Sequence, residues 1–186
     1  MTRTASANVK IHSIRLTRTA LLCAMGVLIP MVMPIRFVVE PMSFTLASHT
    51  AIFIAMLISP VSAVAVAIGT TMGFFFAGFP IVIVFRAGSH VVFALAGALY
   101  LKKFPGLLES RLHTLIFSFG VAIIHAVAEV AVVIPFYFGG TLPGGFYARG
   151  FVMGVIVLVG VGTIIHSMVD FALARIVWRP LEKVIS

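Results

Sequence analysis

Six apolar runs, separated by short connections, leave this chain few ways to fold. They lie at about 17–35, 45–59, 61–79, 81–101, 113–138 and 150–176. About 20 apolar residues cross the hydrocarbon core of a bilayer as a helix, and 61% hydrophobic against 10% charged residues leaves little polar surface for a soluble domain. The sequence predicts an all-α integral membrane protein, with six transmembrane helices in one domain at 17–176. A basic tail at 1–16 and a second tail at 177–186 would flank this domain.

The basic residues predict the orientation of these helices. Ten of them lie in the two tails and in the connection between the fourth and fifth runs: Arg3, Lys10, Arg15, Arg18, Lys102, Lys103, Arg111, Arg175, Arg179 and Lys183. The other side carries only Arg36 and Arg149. Because Lys and Arg are enriched in cytoplasmic loops, both termini are predicted to be cytoplasmic. Basic residues at span ends, rather than on one basic face, also argue against nucleic-acid binding.

Arg86 stands inside the fourth apolar run, in its predicted outer half, with His90 one helical turn further on. A charge at this depth costs about 2.5 kcal/mol or more, so it is expected to face a cavity or a partner. A guanidinium matches the geometry of a carboxylate, and Phe85 and the aromatic segment 74–79 could stack on a ring. These residues predict a pocket for a small aromatic acid, open to the outside. A structural arginine that reaches the headgroups is the alternative.

Further polar residues are predicted to join Arg86 and His90 at the outer side. His49 and Glu40 belong to the first outer connection, and Phe75 is the predicted aromatic wall. Taken singly, an intramembrane histidine is explained equally well by an interhelical hydrogen bond. Glu40 could instead neutralise Arg36 or Arg86.

Two more polar pairs have i,i+4 spacing, His125 with Glu129 and His166 with Asp170. A metal site would suit this spacing, but no third ligand lies nearby in the sequence. No metal and no cofactor is therefore predicted. The pairs could relay protons or could make hydrogen bonds between helices. Glu129 is expected to contact a ligand, whereas Asp170, in the cytoplasmic half, is expected to lie too deep.

The second informative outer connection, residues 139–150, is dense in glycine and aromatic residues. This composition is typical of a mobile loop. The segment is predicted to close over the pocket as a lid.

Several segments together resemble the niacin-type S components, the substrate-binding membrane subunits of energy-coupling factor (ECF) vitamin transporters. They are the runs 40–49 (EPMSFTLASH), 58–60 (ISP), 69–74 (GTTMGF), 78–80 (GFP) and 86–90 (RAGSH). The resemblance covers residues 17–101 closely and the last two runs by general character. The small-x-x-x-small step of Ala20 and Ala24 in the first run is also similar to that family.

This resemblance implies a function. An S component in the bacterial cell membrane would bind its vitamin from the outside. It would dock, through Ala20 and Ala24, onto a transmembrane coupling protein that carries two cytoplasmic ATPases. The chain has no Gly-rich phosphate loop, so ATP hydrolysis would come from the partners, and the chain is not predicted to be an enzyme.

The residues leave the vitamin and the mode of transport open. Nicotinate and pantothenate carry a carboxylate for Arg86, whereas pyridoxine and hydroxymethylpyrimidine do not. A secondary transporter that works alone, with either His–acid pair moving protons, is the rival class. That class is often built from inverted repeats, and the sequence shows no convincing halves. An enzyme would need a nucleophile beside a general base, or a group of metal ligands, and the sequence shows neither pattern.

Overall fold

The structure is a computed structural model that describes residues 2–39, 42–142 and 144–185, with side chains described for 13–35, 44–142, 144–145 and 147–181. Nearly all of it is helical. Its elements in chain order are α1 (Thr2–Val32), β1 (Arg36–Val39), β2 (Met42–Thr45), α2 (Thr50–Ile58), α3 (Pro60–Phe76), α4 (Ile81–Lys103), a 3₁₀ turn (Leu107–Glu109), α5 (Arg111–Phe138), α6 (Gly144–Ala148), a π-helical segment (Val152–Val161) and α7 (Gly162–Ile185).

Within the described residues, four helical stretches are long and apolar enough to cross a membrane. They are Ser13–Val32, Ile81–Lys103, Arg111–Phe138 and Val152–Leu181. The two remaining predicted runs form shorter helices, α2 with 9 residues and α3 with 17. The structure therefore contains the six predicted apolar segments as helices, and four of them have membrane-spanning length.

Both predicted tails continue neighbouring helices. Helix α1 begins at Thr2, because residues 2–25 contain neither Gly nor Pro and nothing interrupts the helix between the basic segment and the apolar run. At the other end α7 extends to Ile185. The two tails differ from the apolar runs in their charge, but the helices continue through them without a break.

The expectation of an all-α fold is wrong between α1 and α2. Strands β1 and β2 pair antiparallel, with Arg36 opposite Thr45 and Val39 opposite Met42. Two residues connect them, which is the shortest common connection of a hairpin. The strands contain Phe37, Val38 and Val39, which favour extended backbone. The hairpin leads the chain directly into the turn before α2.

Helices α2 and α3 are short and are separated by Ser59 alone. The Ser59 side chain accepts a hydrogen bond from the Ser62 N–H at 3.1 Å, and Pro60 occupies the first turn of α3. Both features favour the start of a helix. In α2 every residue from Thr50 to Met56 is buried, so its N-terminus brings His49 into the protein interior.

Close helix packing depends on several glycines, including Gly73 and Gly97. A Cβ atom on Gly97 of α4 would lie 2.6 Å from the Met56 sulfur of α2, and one on Gly73 of α3 would collide with the Val27 side chain of α1. Phe53 of α2 lies in the core, with its ring centroid 5.3 Å from that of Phe93 and 5.4 Å from that of Phe171. Short α2 is thus enclosed by the longer helices.

The last membrane-length helix changes its winding along its length. Residues Val152–Val161 are π-helical, and the chain then continues as α-helix from Gly162. π-Helical turns occur frequently at functional sites. Here the change comes directly before Thr163 and about one turn before His166, which both line the cavity.

Candidate functional site

Polar side chains from four helices meet beside a cavity of about 190 Å³. This volume is smaller than the roughly 300–1,000 Å³ of sites for drug-sized ligands, so it suits a small molecule. The polar residues that line it are Thr45, Ser48, His49, Thr70, Arg86, His90, Glu129, Thr163 and His166. The apolar lining is Pro30, Phe44, Phe74, Phe79, Ile83 and Ala87.

Arg86 of α4 and Glu129 of α5 form an ion pair at the cavity. The Arg86 Nη2 atom donates to Glu129 Oε2 at 2.8 Å, and the two side chains are 11% and 4% exposed. Thr163 of α7 also donates to Oε2, at 2.7 Å. Arg86 Nε is buried and has no hydrogen-bond partner among the described residues. An N–H donor at the cavity therefore remains available for a ligand.

The other oxygen of Glu129 faces two histidines. Its Oε1 atom lies 3.1 Å from His90 Nε2 and 3.5 Å from His125 Nε2. The shared helix face of Arg86 and His90, expected from their spacing, is therefore observed, and Glu129 connects both residues. Glu129 lines the cavity, and its contact with a ligand stays a prediction.

Asp170 lies behind the cavity and organises the turn that carries His49. Its oxygens accept the N–H groups of Ala47 and His49, each at 2.8 Å. Ala47 has a φ of 65°, which is unusual for a residue with a side chain. Asp170 does not line the cavity, in keeping with its predicted depth, but it holds this strained turn in place.

The aromatic wall differs from the prediction. Phe75 is 54% exposed and does not line the cavity, whereas its neighbour Phe74 does, because successive helical residues point about 100° apart. Phe85 is likewise exposed and packs against Phe136. Phe44, absent from the predicted site, stacks on His166 with ring centroids 4.7 Å apart.

Two further predictions concern Glu40 and the segment 139–150. Glu40 lies outside the described residues. Of the segment 139–150, no described residue lines the cavity. This segment is partly ordered by a hydrogen bond from the Leu142 N–H to the Tyr147 hydroxyl at 3.1 Å, and its role as a lid stays a prediction. Thr163 was not predicted, and its i,i+3 spacing from His166 is the only sequence signal for it.

Ala20 and Ala24 lie on the outer surface of α1. Both are exposed, whereas Leu22 and Gly26 are buried against the other helices. The small-residue step is therefore available to another helix.

One curated protein is similar over almost the whole chain. The niacin transporter NiaX of Lactococcus lactis subsp. cremoris (strain MG1363) is 38% identical over 183 residues, which cover 98% of this chain and 79% of the relative. No family model matches the chain, and no solved structure matches it. Together with its four membrane-length helices, this similarity identifies a helical membrane protein. The chain belongs to the family of the niacin transporter NiaX, the niacin-type S components of ECF vitamin transporters.

Proposed function

We propose that this protein binds niacin in the cavity beside Arg86 and takes part in its uptake across the bacterial plasma membrane. The similarity to a niacin transporter is the observation that carries this proposal. Niacin at neutral pH is nicotinate, a flat ring with a carboxylate. The cavity supplies a guanidinium and aromatic side chains, which are the groups that such a ligand requires.

Two unpartnered donors suit the two acceptor groups of nicotinate, its carboxylate and its pyridine nitrogen. Arg86 Nε and Thr70 Oγ1 are buried and have no hydrogen-bond partner among the described residues, and both residues line the cavity. A ligand carboxylate would accept from Arg86, and the pyridine nitrogen would accept from the Thr70 hydroxyl. Phe74 and Phe79 would provide apolar contact for the ring. A buried donor without a partner is unfavourable, so ligand binding would remove a cost already present in the free protein.

Transport would depend on partner proteins. As an S component, the chain would place both termini in the cytoplasm, span the membrane six times and dock through Ala20 and Ala24. The partners would be a transmembrane coupling protein and two cytoplasmic ATPases. The exposed position of both alanines on α1 supports this assignment. The relative is a transporter, and the chain is accordingly not assigned an enzymatic activity.

Calorimetric titration of the detergent-purified protein tests the ligand. We expect tight binding of nicotinate and weaker binding of nicotinamide, pantothenate, pyridoxine and hydroxymethylpyrimidine. Arg86→Lys keeps the positive charge but loses the planar guanidinium that can donate two hydrogen bonds to one carboxylate. Thr70→Val loses the hydroxyl donor. Each change should weaken nicotinate binding by roughly tenfold or more, about 1.4 kcal/mol. Thr71→Val is the matched control, because Thr71 already donates to the Ala67 carbonyl. Preference for an uncharged vitamin, unaffected by Arg86→Lys, would refute the niacin assignment.

Uptake measurements test the mode of transport. Cells that express this chain together with the coupling protein and ATPases should accumulate labelled nicotinate, and cells that express the chain alone should not. Uptake by the chain alone would instead indicate a secondary transporter.

A further inference from the structure

We propose that His49, His90, His125 and Glu129 form a binding site for one divalent transition-metal ion such as Zn²⁺, beside the ligand cavity. Each residue offers one ligand atom, and these four atoms all lie within 4.8 Å of one another. All four residues are buried. They come from the N-terminus of α2, from α4 and from α5, so the third and fourth ligands that the sequence lacks nearby are supplied by the fold.

The side chains converge at spacings compatible with a single bound ion. The rings of the three histidines have centroids 4.6–4.8 Å apart and are nearly perpendicular to one another. Ligand atoms about 2.0–2.1 Å from a tetrahedral ion are separated by about 3.4 Å. The distances from Glu129 Oε1 to His90 Nε2, 3.1 Å, and to His125 Nε2, 3.5 Å, lie on either side of that value.

The outer nitrogens of two of the histidines are already fixed by neighbours. His49 Nδ1 lies 3.1 Å from Asp170 Oδ2, and His125 Nδ1 lies 3.2 Å from Ser167 Oγ. Histidines that bind metals typically use their second nitrogen in this way, which sets the tautomer and the ring orientation. The Nε2 lone pairs of both histidines are thereby left for the interior of the cluster.

Hydrogen bonds within the cluster leave two buried ring nitrogens without a partner among the described residues, His90 Nδ1 and His125 Nε2. His125 is completely buried, yet its Nε2 has no hydrogen-bond partner among the described residues. A metal ion would satisfy this nitrogen together with the neighbouring acceptors. Three imidazoles and one carboxylate favour Zn²⁺, Co²⁺ or Ni²⁺ over Mg²⁺ and Ca²⁺, which prefer oxygen ligands.

The alternative group of His49, His166 and Asp170 is less suited to an ion. Its ligand atoms also converge, but the Asp170 carboxylate already accepts the Ala47 and His49 N–H groups. In the first group, the contacts of Glu129 Oε1 among the described residues are with His90 and His125, which are members of the same group. Glu129 Oε2 would still pair with Arg86, so ion and niacin sites would share this carboxylate.

Cobalt binding to the full-length protein tests the proposal without niacin. The protein is purified with a tag that contains no histidine, stripped with dipicolinate and titrated with Co²⁺. We expect one Co²⁺ per chain, with the strong visible absorption of a four-coordinate N/O site, displacement by Zn²⁺ and a higher melting temperature with either ion. A stripped wild-type protein that shows no such absorption and no thermal shift would overturn the site, whether or not nicotinate binds.

Two histidine variants distinguish Co²⁺ binding at the buried cluster from Co²⁺ binding at histidines on the surface. His125→Gln should lose the stoichiometric Co²⁺ absorption while circular dichroism still shows a folded helical protein. His113→Gln, at the exposed start of the same helix, should bind like the wild type. Should His125→Gln fail to fold, His49→Gln takes its place with the same expectation. Binding that survives in the cluster variant, or that is lost in His113→Gln, would contradict the proposal. Normal cobalt binding without nicotinate binding would instead refute only the proposed function.

Discussion

Asp170 holds both the backbone and the ring of His49: its Oδ2 atom accepts the His49 N–H at 2.8 Å and lies 3.1 Å from His49 Nδ1. Its second oxygen accepts the N–H of Ala47. One buried carboxylate of α7 thus satisfies two donors just before the first turn of α2, where helix N–H groups lack partners within the helix. A residue that does not line the cavity fixes the position of one that does.

Asp170→Asn should destabilise the protein strongly. Asparagine offers one acceptor oxygen, so its NH₂ group would face a backbone N–H that now donates to the carboxylate. Each lost hydrogen bond to a charged group is worth about 1.5–3 kcal/mol. Thermal unfolding in detergent should show a clearly lower midpoint, whereas Glu109→Gln, at an exposed acid, should unfold like the wild type. Equal midpoints for Asp170→Asn and wild type would show that the carboxylate does not hold the turn.

Arg86 and Glu129 should be energetically coupled. Arg86→Gln leaves the carboxylate buried without its cation, which typically costs about 3–5 kcal/mol. Adding Glu129→Gln removes that charge and should recover part of the loss, as measured by a double-mutant cycle of unfolding free energies. Arg111→Gln, at the exposed start of α5, serves as the control. Strictly additive losses would argue against the pair. Nicotinate binding should be lost in the double variant even when its stability recovers.

Gly73→Ala should push α1 away from α3 and lower the free energy of unfolding of the protein. The added Cβ would collide with the Val27 side chain, and overpacking of this kind costs about 1–3 kcal/mol. Gly120→Ala is the matched control within α5, because its Cβ would meet nothing within 4 Å. Alanine is favoured over glycine in a helix by up to about 1 kcal/mol, so this control should be as stable as the wild type or more stable. Equal destabilisation by both changes would contradict the packing interpretation.

Ala24→Trp should abolish uptake and leave niacin binding intact. Ala24 is exposed on α1 and lies away from the cavity lining. A large side chain there would prevent the close helix approach that small residues permit. Leu115→Trp, at an exposed position of α5, should preserve both properties. Normal uptake by Ala24→Trp, measured with labelled nicotinate beside calorimetry, would exclude this face from docking.

Helical periodicity predicts part of the site correctly. The four-residue spacing of Arg86 and His90 places them on one face, and both line the cavity. Their common partner, Glu129, is 43 residues beyond Arg86. That pairing depends on how α4 packs against α5, which the spacing within either helix does not specify.

The errors have similar physical causes. The sequence predicts an aromatic cluster near Arg86 but does not tell which face of α3 meets the cavity. The predicted wall residue is Phe75, whereas its neighbour Phe74 lines the cavity. The strands of the hairpin have 4 residues each, too few for alternation to distinguish them from a loop. The sequence does not indicate the proposed metal-binding group, because its residues lie at the start of α2 and in α4 and α5, far apart along the chain.

The π-helical segment Val152–Val161 gives this helix a way to tolerate a change in chain length without disturbing the site. A π turn contains about one residue more than an α turn. Loss of one residue there can therefore be absorbed as an ordinary α turn while the helix stays continuous. Because the extra residue is removed locally, Thr163 and His166 would keep the faces that they now present to the cavity. Insertions and deletions of one residue in this stretch are thus expected to be tolerated among relatives.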